Sequence, residues 1–314
     1  MEKTIYLVVP CYNEEEVLPD TAEQLKLLFT RLIGEHKIAE DSRIMLVNDG
    51  SKDNTWEIIK RLHEADKLFA GVCLTRNRGH QNALLAGLMT AKNHCDAAIS
   101  IDADLQDDIE SIPKMIDEFY AGSDIVYGVR SSRKKDSAFK RMTAQGFYKL
   151  LSKFGVDIIY NHADYRLMSK RALDGLEEFP EVNLFLRGMV KMIGYPSSTV
   201  EYERKERTKG ESKYPLKSML KLASDGITSF SIEPIKMITK MGVLFSVLGF
   251  MAFVTTLVLY LVALIPSFWS IISLILFALG IQLVATGVIG TYIGKTYQET
   301  KRRPRYIIKD ILIK

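Results

Sequence analysis

Charge is missing from a long stretch of this chain. From Met241 to Gly294, 54 consecutive residues include no Asp, Glu, Lys, Arg or His, whereas 25% of all 314 residues are charged. Cysteine is scarce as well. Cys11, Cys73 and Cys95 form an odd set without metal-ligand spacing, which excludes a disulfide-stapled miniprotein and a zinc module and fits reduced thiols in the cytoplasm. No Gly-x-Gly-x-x-Gly follows the first apolar run, and neither Gly-x-x-x-x-Gly-Lys-Ser/Thr nor Gly-x-Ser-x-Gly occurs, which argues against dinucleotide, P-loop and nucleophile-elbow chemistry. No cleavable leader is expected, since Met1 runs directly into a strand pattern. Basic charge is sparse in the folded part: residues 1–240 have a net charge of −1 and residues 295–314 of +5, so the overall +4 sits after the apolar stretch and no nucleic-acid-binding face is expected. What is present in abundance is apolar residues, 47% of the chain, enough for a core and against disorder.

The uncharged run divides at Ile265-Pro266-Ser267 into two segments, Met241–Ile265 and Phe268–Gly294, each longer than the roughly 20 residues that cross ~30 Å of hydrocarbon as a helix. Lys236 and Lys240 precede the first segment, and Lys295, Lys301, Arg302, Arg303 and Arg305 follow the second, while the turn between them is uncharged. This asymmetry predicts a two-span hairpin in the inner, cytoplasmic membrane, with Trp269 and Tyr292 as interfacial anchors and both termini cytoplasmic. The expected organisation is a catalytic domain over 1–214, amphipathic juxtamembrane helices over 215–240, the hairpin over 241–294 and a basic cytoplasmic tail over 295–314. In 215–240, Leu216, Met219, Leu220 and Ile227 alternate with Lys217 and Lys221, a pattern that suits a headgroup-level helix and equally an ordinary packing helix.

Before that segment, apolar runs (Thr4–Val9, Arg43–Val47, Gly71–Leu74, Ala97–Ile101, Asp124–Val129) alternate with helical patterns (Glu14–Leu32, Asn54–Ala65, Gly79–Lys92, Ile112–Tyr120). The alternation predicts an α/β fold with a mostly parallel central sheet covered by helices on both faces. In such folds ligands lie beyond the carboxyl ends of the strands. There the sequence is polar. Asp102 and Asp104 follow the fourth strand at a spacing that puts two carboxylates on one side of an extended backbone, an arrangement that suits Mg²⁺ or Mn²⁺ together with a diphosphate. Asp49 supplies an acceptor for a base N–H or ribose hydroxyl, or is a turn residue before Gly50; Tyr12 could stack on a base or pack at a strand end. His80, at a helix start, reads as a cap or packing residue. A metal with a nucleoside diphosphate, in a chain lacking the usual phosphate cradles, suggests that the diphosphate is a leaving group.

Val9-Pro10-Cys11-Tyr12-Asn13-Glu14-Glu15, Val47-Asn48-Asp49-Gly50-Ser51-Lys52-Asp53, Arg76-Asn77-Arg78-Gly79-His80-Gln81 and Asp102-Ala103-Asp104-Leu105-Gln106-Asp107 together resemble the family 2 glycosyltransferases of GT-A fold. Asp164-Tyr165-Arg166-Leu167-Met168 and Arg207-Thr208-Lys209-Gly210-Glu211-Ser212-Lys213-Tyr214 resemble more narrowly the branch that charges polyprenyl phosphate. That branch includes dolichyl-phosphate mannose synthases and bacterial undecaprenyl-phosphate glycosyltransferases, and the resemblance covers nearly the whole chain. It implies an inverting, metal-dependent hexosyl transfer from a nucleotide sugar to a lipid phosphate. By motif, Pro10, Tyr12, Glu14, Asp49, Arg76 and Asp102 would hold the nucleotide sugar, and Asp102, Asp104 and Gln106 would surround Mg²⁺ or Mn²⁺. Arg130, Arg141, Arg207 and Lys213 would meet the acceptor phosphate, and Asp164 with Arg166 would form the catalytic pair. Ala163 and Tyr165 replace the Gly and Phe common in that branch, which bears on local backbone and pocket width.

The chemistry modifies one of these roles. A phosphate monoester has a second pKa near ~6, so the acceptor is mostly dianionic at neutral pH and hardly needs a base. Asp164 is therefore expected to orient Arg166 or the acceptor rather than to take a proton. Arg130, Arg133, Lys134, Lys135, Lys140 and Arg141 form a basic cluster that is either a solvated loop or a headgroup-facing surface. The leading expectation is a membrane enzyme making a polyprenyl-phosphate sugar for the cell envelope from UDP-glucose or UDP-N-acetylglucosamine, with a separate flippase and a homo-oligomeric, tetrameric state by resemblance. The alternatives are a GDP-mannose-dependent enzyme, a processive synthase, which would need a Gln-x-x-Arg-Trp motif that the sequence lacks, and an inactive nucleotide-sugar-binding scaffold.

Overall fold

The computed structural model describes residues 2–131, 162–203 and 268–313, with isolated positions at 235, 237, 238, 240 and 244. Arg141, Arg207, Lys213, most of the basic cluster, the 215–240 segment apart from those positions, and nearly all of the first expected span lie outside the described residues.

Eight strands form one sheet. They are β1 (Ile5–Cys11), β2 (Arg43–Asn48), β3 (Phe69–Leu74), β4 (Ala97–Ser100), β5 (Ile125–Arg130), β6 (His162–Ser169), β7 (Ser197–Tyr202) and β8 (Ile308–Leu312), in the spatial order β7-β5-β6-β4-β1-β2-β3-β8. Among the described residues the helices with defined bounds are α1 (Leu18–Gly34), α2 (Thr55–Ala65), α3 (His80–Ala91), α4 (Ile112–Tyr120), α5 (Lys170–Glu177), α6 (Leu186–Met192) and α7 (Phe268–Lys301). β1 pairs in parallel with both β2 and β4, β2 with β3, and β5 with β7, while β6 runs antiparallel between β4 and β5 and β8 runs antiparallel along β3. The predicted mostly parallel α/β sheet is therefore present.

Strand parity builds the two cores. Ile5, Leu7, Val9 and Cys11 of β1 pack with α1, α2 and α4, whereas Tyr6 and Val8 pack with α3, α5 and α6. The α3 side is close-packed. A Cβ on Gly87 would come within 2.4 Å of Val8 Cγ1 and 2.6 Å of Val47 Cγ2, so only a glycine lets this helix lie so near the sheet. Because the chain moves outward from β1 to β3 on one side and returns to β4 on the other, the strand order reverses at β1 and β4, where a crevice opens at their carboxyl ends.

The C-terminal segment is not a free tail. Residues 308–312 form β8 on the edge of β3, and Thr75 N–H donates to Ile307 O at 3.0 Å. Among the described residues no helix is long and apolar enough to cross a membrane. The second expected span falls on α7, which runs unbroken for 34 residues but is described in only part of its side chains.

Candidate active site

Three loops at the crevice are stapled into one unit. Asn13, in left-handed backbone at φ 52°, donates its N–H to Ser51 Oγ at 3.0 Å and accepts the Lys52 N–H at 2.9 Å, and Glu14 N–H donates to Thr55 Oγ1 at 3.0 Å. Asp49 joins the third loop: it is buried, and its carboxylate accepts the Arg78 N–H at 2.7 Å and the Gly79 N–H at 2.9 Å. Burial raises its carboxyl above the ordinary carboxylate value, with those two N–H groups opposing the shift. Gly50, at φ 62°, lies so close that a Cβ would come within 2.4 Å of the Arg76 carbonyl carbon. Pro10 is buried within β1, Glu14 is half-buried, and Tyr12 and Arg76 stand exposed beside the stapled loops.

The acidic turn follows β4. Asp102 and Asp104 do not lie on extended backbone as their spacing suggested. The strand ends at Ser100, and the chain turns through Leu105 at φ 46°, with Leu105 N–H to Asp102 O at 3.3 Å and Gln106 N–H to Asp104 Oδ1 at 3.3 Å. Thr21 Oγ1 of α1 donates to Ala103 O at 2.7 Å and holds the turn in place. Desolvation raises the Asp102 carboxyl, His80 opposes this, and Asp107, Asp164 and Asp104 raise it further. With 47% of its side chain exposed, Asp102 keeps solvent contact on one side, which tempers the shift.

Antiparallel register brings Asp164 to this turn. Ser100 pairs with Arg166 at the end of β4, so Asp164, two residues earlier on β6, lies beyond that end and beside the acidic turn. Ser100 Oγ donates to the Asp164 carbonyl oxygen. Period two then places Asp164 and Arg166 on one face of β6, while Tyr165 packs edge-on against Tyr202 on the other, with ring centroids 5.2 Å apart. Asp164 Oδ1 accepts from Arg166 Nη2 at 2.7 Å and from Arg187 Nε at 3.3 Å, and its Oδ2 accepts from Arg187 Nη2 at 3.1 Å. Burial alone would raise the Asp164 carboxyl, but Arg187, Arg166 and then His80 overcome it and hold the group far below the usual carboxylate range. Arg166 is 1% exposed, and its Nη1 donates to Leu186 O at 3.3 Å. His80 Nε2 lies 3.5 Å from Asp102 Oδ1 and 3.8 Å from Asp164 Oδ2, so it bridges the two carboxylates rather than merely capping α3.

Arg130 is engaged by protein: Nη2 lies 3.4 Å from Asp107 Oδ1 and Nε donates to Tyr202 Oη at 3.3 Å, while Tyr202 donates to Asp107 at 2.6 Å. Burial opposes its charge, but Asp107 and Tyr202 outweigh burial and Arg187 and raise its pKa. Sequence reasoning missed Arg187, which no motif marks; its one signal is a lone cation in the apolar run Leu184-Phe185-Leu186-Arg187.

The residues present fit a divalent cation. Asp102, Asp104 and Gln106 offer hard oxygen donors in one turn, and the mutual repulsion that raises Asp102 is relieved by positive charge. Among the described residues no group of three His, Cys, Asp or Glu side chains is placed to hold a metal ion.

Residues 6–176 match the model of glycosyl transferase family 2. An uncharacterized glycosyltransferase, YkoT, of Bacillus subtilis is 51% identical over 98% of this chain and 91% of its own length. The prophage bactoprenol glucosyl transferase homolog of Escherichia coli is 40% identical over 98% of this chain and 99% of its own, and the bactoprenol glucosyl transferase of Shigella phage SfX is 40% identical over 97% and 98%. Among solved structures, mannosyl-3-phosphoglycerate synthase from Rubrobacter xylanophilus aligns with a TM-score of 0.46 and 14% identity over 71% of each chain.

Proposed function

The chain belongs to glycosyl transferase family 2 and is a glycosyltransferase, and from that premise we propose that it transfers glucose from a nucleotide sugar to polyprenyl phosphate with inversion. The observation that carries this reading is the approach of Asp102 and Asp164 to one imidazole, His80, with Arg166 and Arg187 bonded to Asp164. Glucose and a polyprenyl acceptor are favoured because relatives aligned over nearly their full length bear those words in their names. UDP-glucose is the leading donor, ahead of UDP-N-acetylglucosamine and GDP-mannose.

In the transfer, an oxygen of the acceptor phosphate bonds to the anomeric carbon on the face opposite the diphosphate, the bond from that carbon to the diphosphate oxygen breaks, and the nucleoside diphosphate leaves with the electron pair. No proton need be taken from an acceptor whose second pKa is near ~6. The chain's residues do the placing. Tyr12, Asp49 and Arg76, on loops fixed to one another, bind the nucleotide part, with Pro10 and Glu14 shaping their start. Asp102, Asp104 and Gln106 would hold Mg²⁺ or Mn²⁺, which when bound neutralises the leaving diphosphate. Arg187, Arg166 and Arg130 supply positive charge near the acceptor phosphate, joined in this reading by Arg141, Arg207 and Lys213, and Asp164 fixes the first two guanidiniums so that the phosphate meets an ordered surface.

In the same reading residues 241–294 form two membrane spans. The uncharged sequence, long enough for two crossings, supports this. The product is made on the cytoplasmic leaflet for use in the envelope, and a separate flippase and a homotetramer complete the proposal. Purified full-length enzyme, offered UDP-glucose, UDP-N-acetylglucosamine and GDP-mannose with undecaprenyl phosphate, should release UDP from UDP-glucose only when metal and lipid are both present. Fastest turnover with GDP-mannose would replace the donor assignment, and lipid-independent binding without turnover of any donor would favour the scaffold.

A further inference from the structure

We propose that Glu299, at the end of α7, is a positioning residue for the reaction centre: it fixes the 179–185 loop and thereby sets Arg187 against Asp164. The inference rests on the reading of that site given above. Glu299 lies more than a hundred residues from the loop in sequence, yet its carboxylate accepts the Val182 N–H at 2.8 Å, the Asn183 N–H at 2.8 Å and the Asn183 side-chain amide. Two successive backbone donors on one carboxylate define the direction of the chain as well as its position. Burial would raise the Glu299 carboxyl, but these donors and Arg305 outweigh it and hold the group below its ordinary value.

The loop is gripped a second time. Arg305 Nη1 donates to Phe179 O at 2.9 Å, and Asn183 Nδ2 reaches Lys295 O at 3.4 Å, so the last turns of α7 and the segment after it hold the loop at both ends. Three residues beyond Asn183, Leu186 is held on both sides: its N–H donates to Gln81 Oε1 at 3.0 Å, and its carbonyl accepts from Arg166 Nη1 at 3.3 Å. The next residue is Arg187. The path from the helix end to Asp164 is thus a continuous run of short backbone with no exposed linker to absorb a shift. Displacing a guanidinium that must meet a phosphate by a fraction of an ångström to 1 Å costs roughly ten- to a hundredfold in rate.

The test uses full-length protein with Glu299→Gln, Glu299→Ala, Arg187→Ala and the Glu299→Ala/Arg187→Ala pair. Glu299→Gln keeps the length of the side chain and one acceptor, so it stays measurable should Glu299→Ala fold poorly. The expected result is a kcat lowered about tenfold with the KM for the nucleotide sugar within about twofold of wild type, and a double variant no slower than Arg187→Ala alone. Hydrogen exchange over 182–192 should also quicken in Glu299→Gln. Multiplying losses in the double variant, or exchange over 182–192 that is unchanged, would overturn the proposal. The exchange measurement needs no turnover, so a wrong donor or acceptor assignment shows as inactivity of the wild-type enzyme on every substrate pair and is told apart from failure of the positioning role.

Discussion

Replacing Asp164 by Asn separates two views of this carboxylate. The side chain is isosteric, but the amide can present only one acceptor. In its better orientation the oxygen still faces Arg166 Nη2 and Arg187 Nε, while the new NH₂ meets Arg187 Nη2 donor to donor, across the 3.1 Å now bridged by a charge-assisted bond. Loss of one such bond costs about 1.5–3 kcal/mol, which corresponds to a rate loss of roughly 10- to 150-fold if it is expressed in the transition state. The wild-type carboxyl, held far below the ordinary range by two guanidiniums, is ionised throughout the assay window. Its stabilising contribution is complete above the unfolded value of about 3.9 and is lost only as pH falls through the lower folded value. UDP release should therefore show the same fold-loss at every pH between about 6.5 and 9, and both enzymes should share an acid limb near ~6 set by the acceptor phosphate. A ratio that closes towards one as pH rises would mean that Asp164 takes a proton, and the orienting role would be refuted.

Three other perturbations follow from the same geometry. Gly50→Ala combines left-handed backbone, worth about 1–2 kcal/mol, with a Cβ 2.4 Å from the Arg76 carbonyl carbon, so the KM for the nucleotide sugar should rise several-fold in initial-rate assays; an unchanged KM would show that the stapled loops do not carry the nucleotide. Chelation by EDTA should abolish turnover, with recovery on adding Mn²⁺ or Mg²⁺, and Asp102→Asn should lose roughly a hundredfold or more at saturating metal; full activity in EDTA would remove the cation from the reaction. Gly87→Ala places a methyl group against Val8 and Val47 in a close-packed layer, so the Tm should fall by the equivalent of about 1–3 kcal/mol without a change in KM, and an unaltered Tm would contradict the packing argument.

The first half of the sheet was legible because local pattern and position agree there. Apolar runs bounded by polar turns fixed β1 to β5 and α1 to α4 to within a few residues, and α4 matches the sequence expectation, Ile112–Tyr120, at both ends. β6 was not legible. It is a central strand that carries Asp164 and Arg166 where apolar residues belong, and their burial rests on their ion pair together with Arg187 on Asp164. β8 lies within the segment expected as a basic tail; Lys309 and Asp310 stand between Ile308 and Ile311, and charges of this kind are common on edge strands, where they discourage pairing with other molecules. Asp49 was recognised as important, but its work as a staple between loops depends on Arg78 and Gly79, brought beside it by β3 and invisible in linear order. The extended backbone expected through Asp102 and Asp104 gives way to a turn for a local reason: the strand stops two residues before the first of them.

The strand that closes one edge of the sheet is separated from its partner by more than two hundred residues. β8 follows the uncharged stretch in the chain, so β3 waits with its outer N–H and C=O groups bare until that stretch has been synthesised. Completion of the sheet is thereby tied to synthesis of that stretch. A nascent chain stalled before its end keeps an open strand edge that invites aggregation and removal.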